Sequence, residues 1–180
     1  MTCVPDQDWA VLDLEASALP PRSYPIEIAV AFPDASISAW LIRPAPVWLR
    51  DGTWDPAAEG LHGLSRAMLQ GQGEPPGDVL EQVAAAVRGR RVLSDNIAAD
   101  SYWLGVLCAA ARIRPPPFHL TDFWGWSEPL ASPRERERAL AEAYRRHPAR
   151  HRAAPDAQRI ACAISLLLDR PFGKTDAAAM

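Results

Sequence analysis

The run from Trp9 to Glu15, W-A-V-L-D-L-E, constrains this chain more than any other stretch. Its first four residues are all apolar, which is how a central strand buried on both faces reads. Such a strand needs neighbours on both edges and a covering layer on each face, so the chain must build a sheet. Its 180 residues, 48% apolar and 23% charged, suit one such domain and exclude a fibrous repeat or wholesale disorder. The domain is expected to span residues 1–180, with its core over about 9–169 and a loose tail at 171–180.

Two more apolar runs, Ile26 to Phe32 and Ser36 to Ile42, flank Pro33-Asp34-Ala35 and predict a hairpin. Residues 43–60, rich in proline and glycine, predict a loop, followed by a short helical piece at Ser65 to Gln70. Asp78 is placed to cap a helix striped by Val79, Leu80, Val83 and Val87 and ended by Gly89. A short strand at Arg90 to Ser94, a helix from Ala98 to Ala111 and a last strand at Phe118 to Asp122 come next. Ser132-Pro133-Arg134-Glu135 is a capping box opening a helix to about Tyr144, and a final helix runs from Pro155 to Leu168. This order predicts an α/β fold with a mixed sheet, because the first three strands can pair antiparallel.

The cysteines Cys3, Cys108 and Cys162 form no metal-ligand or disulfide pattern, no apolar run is long enough for a membrane span, and the first residues lack a signal pattern. A cytoplasmic protein without a membrane partner is expected. The formal net charge of −3 hides an asymmetry: residues 1–60 carry nine acids against three arginines, and residues 131–180 carry ten bases against six acids. An acidic site facing an anionic partner is one reading of that split, and chance is the other.

Asp13 and Glu15 are two apart on a strand, so both carboxylates point to one face. They stand at the C-terminal end of the most buried strand, where ligands of open α/β sheets bind. Asp100 falls on the apolar side of its helix, one turn before Trp103 and Leu104. Asp156 does the same, one turn before Ile160. Any one of these acids reads as an arginine partner or a helix cap. Four together are costly to bury without positive charge, and oxygen-only clusters are what Mg²⁺ and Mn²⁺ prefer. His151, five residues before Asp156, is a candidate general base beside such a cluster.

The motifs Asp13-Leu14-Glu15, Asn96-Ile97-Ala98-Ala99-Asp100 and His151-Arg152-Ala153-Ala154-Pro155-Asp156 resemble, in order and separation, the three exonuclease motifs of the DEDDh group. These are the DnaQ-like 3′-to-5′ exonucleases, among them proofreading subunits, ribonuclease T and oligoribonuclease. Lesser echoes stand at Pro25-Ile26-Glu27-Ile28 and at Leu61-His62-Gly63-Leu64-Ser65. The resemblance implies a ribonuclease-H-like fold, a five-stranded mixed sheet with helices on both faces and the second strand antiparallel to the rest. It implies two Mg²⁺ or Mn²⁺ ions held by Asp13, Glu15, Asp100 and Asp156. His151 would act as base in hydrolysis at the 3′ end of single-stranded RNA or DNA, releasing nucleoside 5′-monophosphates.

By the same resemblance Ala16 and Ser17 would lie against the terminal ribose, Leu61 and His62 beside the terminal bases, and Asn96 at the edge of the substrate site. Arg150 and Arg152, with Arg145 and Arg146, are candidates for backbone phosphates. Trp124 and Trp126 could stack bases, but core or loop packing is the better expectation for them. The second motif departs from the family, with Asp95 where many members have histidine and Ala99 where they have an aromatic residue, so a fifth carboxylate stands near the site. Some members are homodimers, and both states stay open here. A non-catalytic nucleic-acid-binding or protein-interaction module on the same fold is the alternative.

Overall fold

The computed structural model describes residues 8–168. Five strands, β1 (Trp9–Ala16), β2 (Pro25–Ala31), β3 (Ile37–Leu41), β4 (Arg91–Ser94) and β5 (Leu120–Asp122), form one sheet in the order β3-β2-β1-β4-β5. β1 pairs antiparallel with β2 and parallel with β4. β2 pairs antiparallel with β3, and β4 parallel with β5, so β2 alone runs against the other four strands. This is the predicted mixed sheet, with the apolar run of β1 at its centre.

Alternation along β1 divides the core in two. Ala10, Leu12, Leu14 and Ala16 face a larger core shared with Val79, Leu80 and Val83 of α4 (Pro76–Ala86) and Trp103, Leu104 and Leu107 of α5 (Ile97–Ala111). Trp9 and Val11 face the opposite core, with Ala157, Ile160, Ala161 and Ile164 of α8 (Ala153–Leu167) and Phe123 and Trp126 of α6 (Phe123–Ser127). The fully buried leucines Leu12, Leu80 and Leu107 each contribute roughly 1.5–3 kcal/mol by leaving water. On the α8 side, the positions after Trp9 and Val11 are Asp13 and Glu15. One side of the strand that anchors the core therefore ends in carboxylates.

Residues 43–60 are not a loop. They hold α1 (Pro46–Asp51) and α2 (Pro56–His62), each with proline in its first turn, and Asp55 caps α2 by accepting from Ala57 N at 2.8 Å. Proline loses nothing at a helix start, where its missing N–H would be unpaired anyway, so these prolines mark starts. The next helix, α3 (Arg66–Gln72), is capped by Ser65. α4 begins after Pro75, and Asp78 sits in its first turn instead of capping it. The Trp-Gly-Trp segment is the short helix α6, capped by Asp122 through Gly125 N at 2.7 Å; Trp126 is core and Trp124 is half exposed.

The predicted capping box opens α7 (Pro133–Arg146), with Ser132 and Glu135 bonded reciprocally. α8 starts two residues before the predicted Pro155, because Arg152 N-terminal to it is anchored from the sheet. The tail at 171–180 lies outside the described residues. No helix among the described residues is long and apolar enough to cross a membrane.

Candidate active site

β1 and α8 bring three carboxylates together: one oxygen each from Asp13, Glu15 and Asp156 all lie within 4.8 Å of one another. Asp100, in the first turn of α5, is 2% exposed and accepts a hydrogen bond from Ser94 Oγ at 2.5 Å. It stands outside that trio, yet its charge acts on Asp13 more than that of any other acid. Asp95, at the end of β4, is the fifth carboxylate of the neighbourhood.

Their protonation is set by crowding in a dry place. Burial, reinforced by Asp100, Glu15, Asp95 and Asp156, holds the Asp13 carboxyl well above the usual range. Glu15 is pushed up to about 7, by burial first and then by Asp156 and Glu27, with Arg152 offsetting part of the effect. Asp100 is also pushed up to about 7 by burial and Asp95, against the Ser94 hydrogen bond. Burial raises Asp95 too. Such a cluster needs protons or a cation near neutral pH, and its donors are all carboxylate oxygens, the set that suits Mg²⁺ or Mn²⁺.

Two arginines shape the rim. Glu27 lies opposite Glu15 in the β1–β2 register and is 3% exposed, a like-charge pair that needs compensation. Arg152 supplies it through two bonds, Nη2 to Oε1 at 2.5 Å and Nε to Oε2 at 2.9 Å, and Ala153 N adds a third at 2.9 Å. This clamp ties the first residue of α8 to β2 and so sets where Asp156 stands. Asp156 itself is paired with the buried Arg159, whose Nη1 lies 2.5 Å from Oδ1; Arg150 N donates to the same oxygen at 3.4 Å.

His151 is exposed in the turn before α8, at φ 49°. Histidine adopts this left-handed region more readily than most residues. Its imidazole has no hydrogen bond or ion pair among the described residues, so it is not tied to the acids, although the backbone N of its neighbour Arg150 reaches Asp156.

No protein-family model and no curated protein matches the sequence. Solved structures do match. The nuclease domain of 3′hExo, a DEDDh family member, bound to rAMP, has a TM-score of 0.70 at 17% identity, covering 95% of this chain and 96% of that one. A 3′-exonuclease recognising a histone mRNA stem-loop has a TM-score of 0.68 at 17% identity, over 95% of this chain and 68% of that one. The zinc-bound complex of E. coli exonuclease I with single-stranded DNA has a TM-score of 0.65 at 14% identity, over 89% of this chain and 40% of that one. This chain shares the fold of the nuclease domains it matches. It spans most of the isolated 3′hExo nuclease domain and about two-fifths of exonuclease I.

The residues expected at the substrate differ in how far the fold engages them. Ser17 has every polar group engaged inside the protein: Oγ donates to Thr53 O at 2.7 Å and accepts from Tyr24 N, while its backbone pairs with Tyr24 O and Asp55 N. Its polar groups are thus already paired within the fold, and Ala16 beside it is buried. His62 is buried edge-on to Trp54, with Nδ1 accepting from Leu64 N at 3.0 Å, so it packs the loop, whereas Leu61 is 61% exposed. Arg152 is held by Glu27 through two bonds, whereas Arg145 and Arg146 pair with Glu142 on the exposed surface of α7, where an ion pair is weak. Arg150 and Asn96 stay exposed beside Asp156 and Asp100. Sequence reasoning missed Glu27 and Arg159 as site residues; the signal for each was a charge inside an apolar run, in P-I-E-I-A-V-A and in Q-R-I-A-C.

Proposed function

We propose that this chain is a cation-dependent 3′-to-5′ exonuclease that hydrolyses the terminal phosphodiester of single-stranded RNA or DNA and releases nucleoside 5′-monophosphates. The observation that carries this reading is the convergence of Asp13, Glu15 and Asp156 within 4.8 Å, in a setting where burial and the neighbouring carboxylates together raise Glu15 and Asp100 to about 7. Binding alone would not place an acid cluster where a phosphate must come. The likeness to structures bound to rAMP, to single-stranded DNA and to an mRNA stem-loop supports the substrate class.

Asp13, Glu15 and Asp156 would hold the divalent cations, with Asp100 completing the set. Bound there, two such ions would polarise the phosphate and stabilise charge on the leaving 3′ oxygen. The chain's own groups do the rest. His151, untethered and solvent-facing, takes a proton from the attacking water; the new bond forms between that oxygen and phosphorus, the P–O3′ bond breaks, and the 3′ oxygen leaves to be protonated. The Arg152–Glu27 clamp keeps Asp156 and His151 at the two ends of one fixed turn. Exposed Arg150 offers a sequence-independent phosphate contact, and Leu61 offers an apolar surface for a terminal base.

The test is degradation of matched 5′-labelled RNA and DNA oligonucleotides with Mn²⁺ or Mg²⁺ and with EDTA. A ladder shortening from the 3′ end that EDTA abolishes is expected. Binding of either strand without cleavage under both metals would refute the exonuclease and favour a non-catalytic binding module.

A further inference from the structure

A guanidinium goes inside a protein only when something there needs its charge. Arg159 is 6% exposed, on a turn of α8 whose neighbours Ile160 and Ala163 are core. Its Nη1 donates to Asp156 Oδ1 at 2.5 Å, its Cζ lies 4.5 Å from the Tyr144 ring centroid, and its Nε has no partner. Its charge also reaches Asp95. An apolar residue here would fill the same space without orphaning a donor, so the reason for arginine lies in the acids it faces.

We infer that Arg159 is a resident counter-cation of the acid cluster, a positioning residue that holds one oxygen of Asp156 and competes with a divalent cation for that carboxylate's charge. The inference rests on the proposed role of Asp13, Glu15 and Asp156 as cation ligands. To the extent that a bound cation weakens the Arg159–Asp156 bond, that lost interaction is subtracted from the cation's affinity, through linkage. A fixed positive charge also repels a divalent ion directly across a half-buried site. Together these keep the cation exchangeable, while the protein folds without it. Asp156 Oδ1, already bonded to Arg159 and Arg150 N, leaves Oδ2 as the oxygen free to serve as ligand.

The experiment compares chelator-cleared native protein with Arg159→Met, Arg159→Gln and Arg159→Lys at pH 8. Mn²⁺ affinity is read by calorimetric titration, and thermal midpoints are taken with and without Mn²⁺. Arg159→Met is expected to lower the metal-free midpoint yet bind Mn²⁺ at least about tenfold more tightly, so that Mn²⁺ raises its midpoint more than it raises the native one. Arg159→Gln, which keeps a donor for Asp156 but no charge, should tighten binding too, and it decides the matter if the methionine variant does not fold. Arg159→Lys should bind as the native protein does. Unchanged or weaker Mn²⁺ binding in both neutral variants overturns the counter-cation role alone. No Mn²⁺ binding to any of the four proteins overturns the cation reading of the site and this inference with it.

Discussion

Replacing Asp100 by asparagine should make the metal-free protein more stable at pH 8. Asp100 is buried, and its carboxyl is pushed from an ordinary 3.8 to about 7. The folded state thus holds a proton that the unfolded chain has released: stability is full below pH 4 and is lost as pH rises through 7. At about 1.4 kcal/mol per unit, the ionised group costs the folded state about 4 kcal/mol above pH 7. Part of this is shared with Asp13 and Asp95, which respond as Asp100 ionises, so the expected gain from Asp100→Asn is about 2–4 kcal/mol. Asparagine keeps the size and an acceptor for Ser94 Oγ. At roughly 2–4 °C per kcal/mol for a chain of this length, the midpoint should rise by about 5–15 °C. Thermal denaturation in EDTA from pH 4.5 to 8.5 checks it, with the gain shrinking to about 1 kcal/mol at pH 4.5. Added Mn²⁺ should narrow the gap by stabilising the native protein. A variant less stable than native at pH 8 without metal, or a gap independent of pH, would refute the electrostatic account.

Two other outcomes are expected at the site. His151→Ala should lower kcat by on the order of 10²- to 10⁴-fold and leave the Mn²⁺ titration unchanged, because no hydrogen bond or ion pair among the described residues ties the imidazole to the acids; an active variant would remove His151 from the reaction. Arg152→Ala strips the Glu27 carboxylate of two of its three bonds and, with the arginine side chain 40% exposed, should cost about 2 kcal/mol, below the range for a fully buried pair. Chemical denaturation measures it, and Glu27→Gln in the same chain should recover part of the loss.

Residue order alone revealed whatever depends on a single element. The apolar run of β1, the two-residue spacing of Asp13 and Glu15, and the turn-spaced acids of α5 and α8 each show a buried face with a carboxylate at its end. The prolines of 43–60 misled, because proline serves both loops and helix starts, and only the packing of the next few residues chooses between them. Ser132 and Glu135, three residues apart, were legible because a capping box is local.

Partnership across distance was not legible. Arg152 and Glu27 are 125 positions apart, and only the approach of α8 to β2 turns a candidate phosphate ligand into an anchor. Ser17 is drawn into internal hydrogen bonds because the fold brings Thr53, Asp55 and Tyr24 around it. The acids of this chain were set by its sequence, since their spacing and burial fix which faces carry charge. Which cation each acid meets was decided by the tertiary structure, because charges act through space over a few ångströms, and that separation exists only once β1, β2 and α8 have packed.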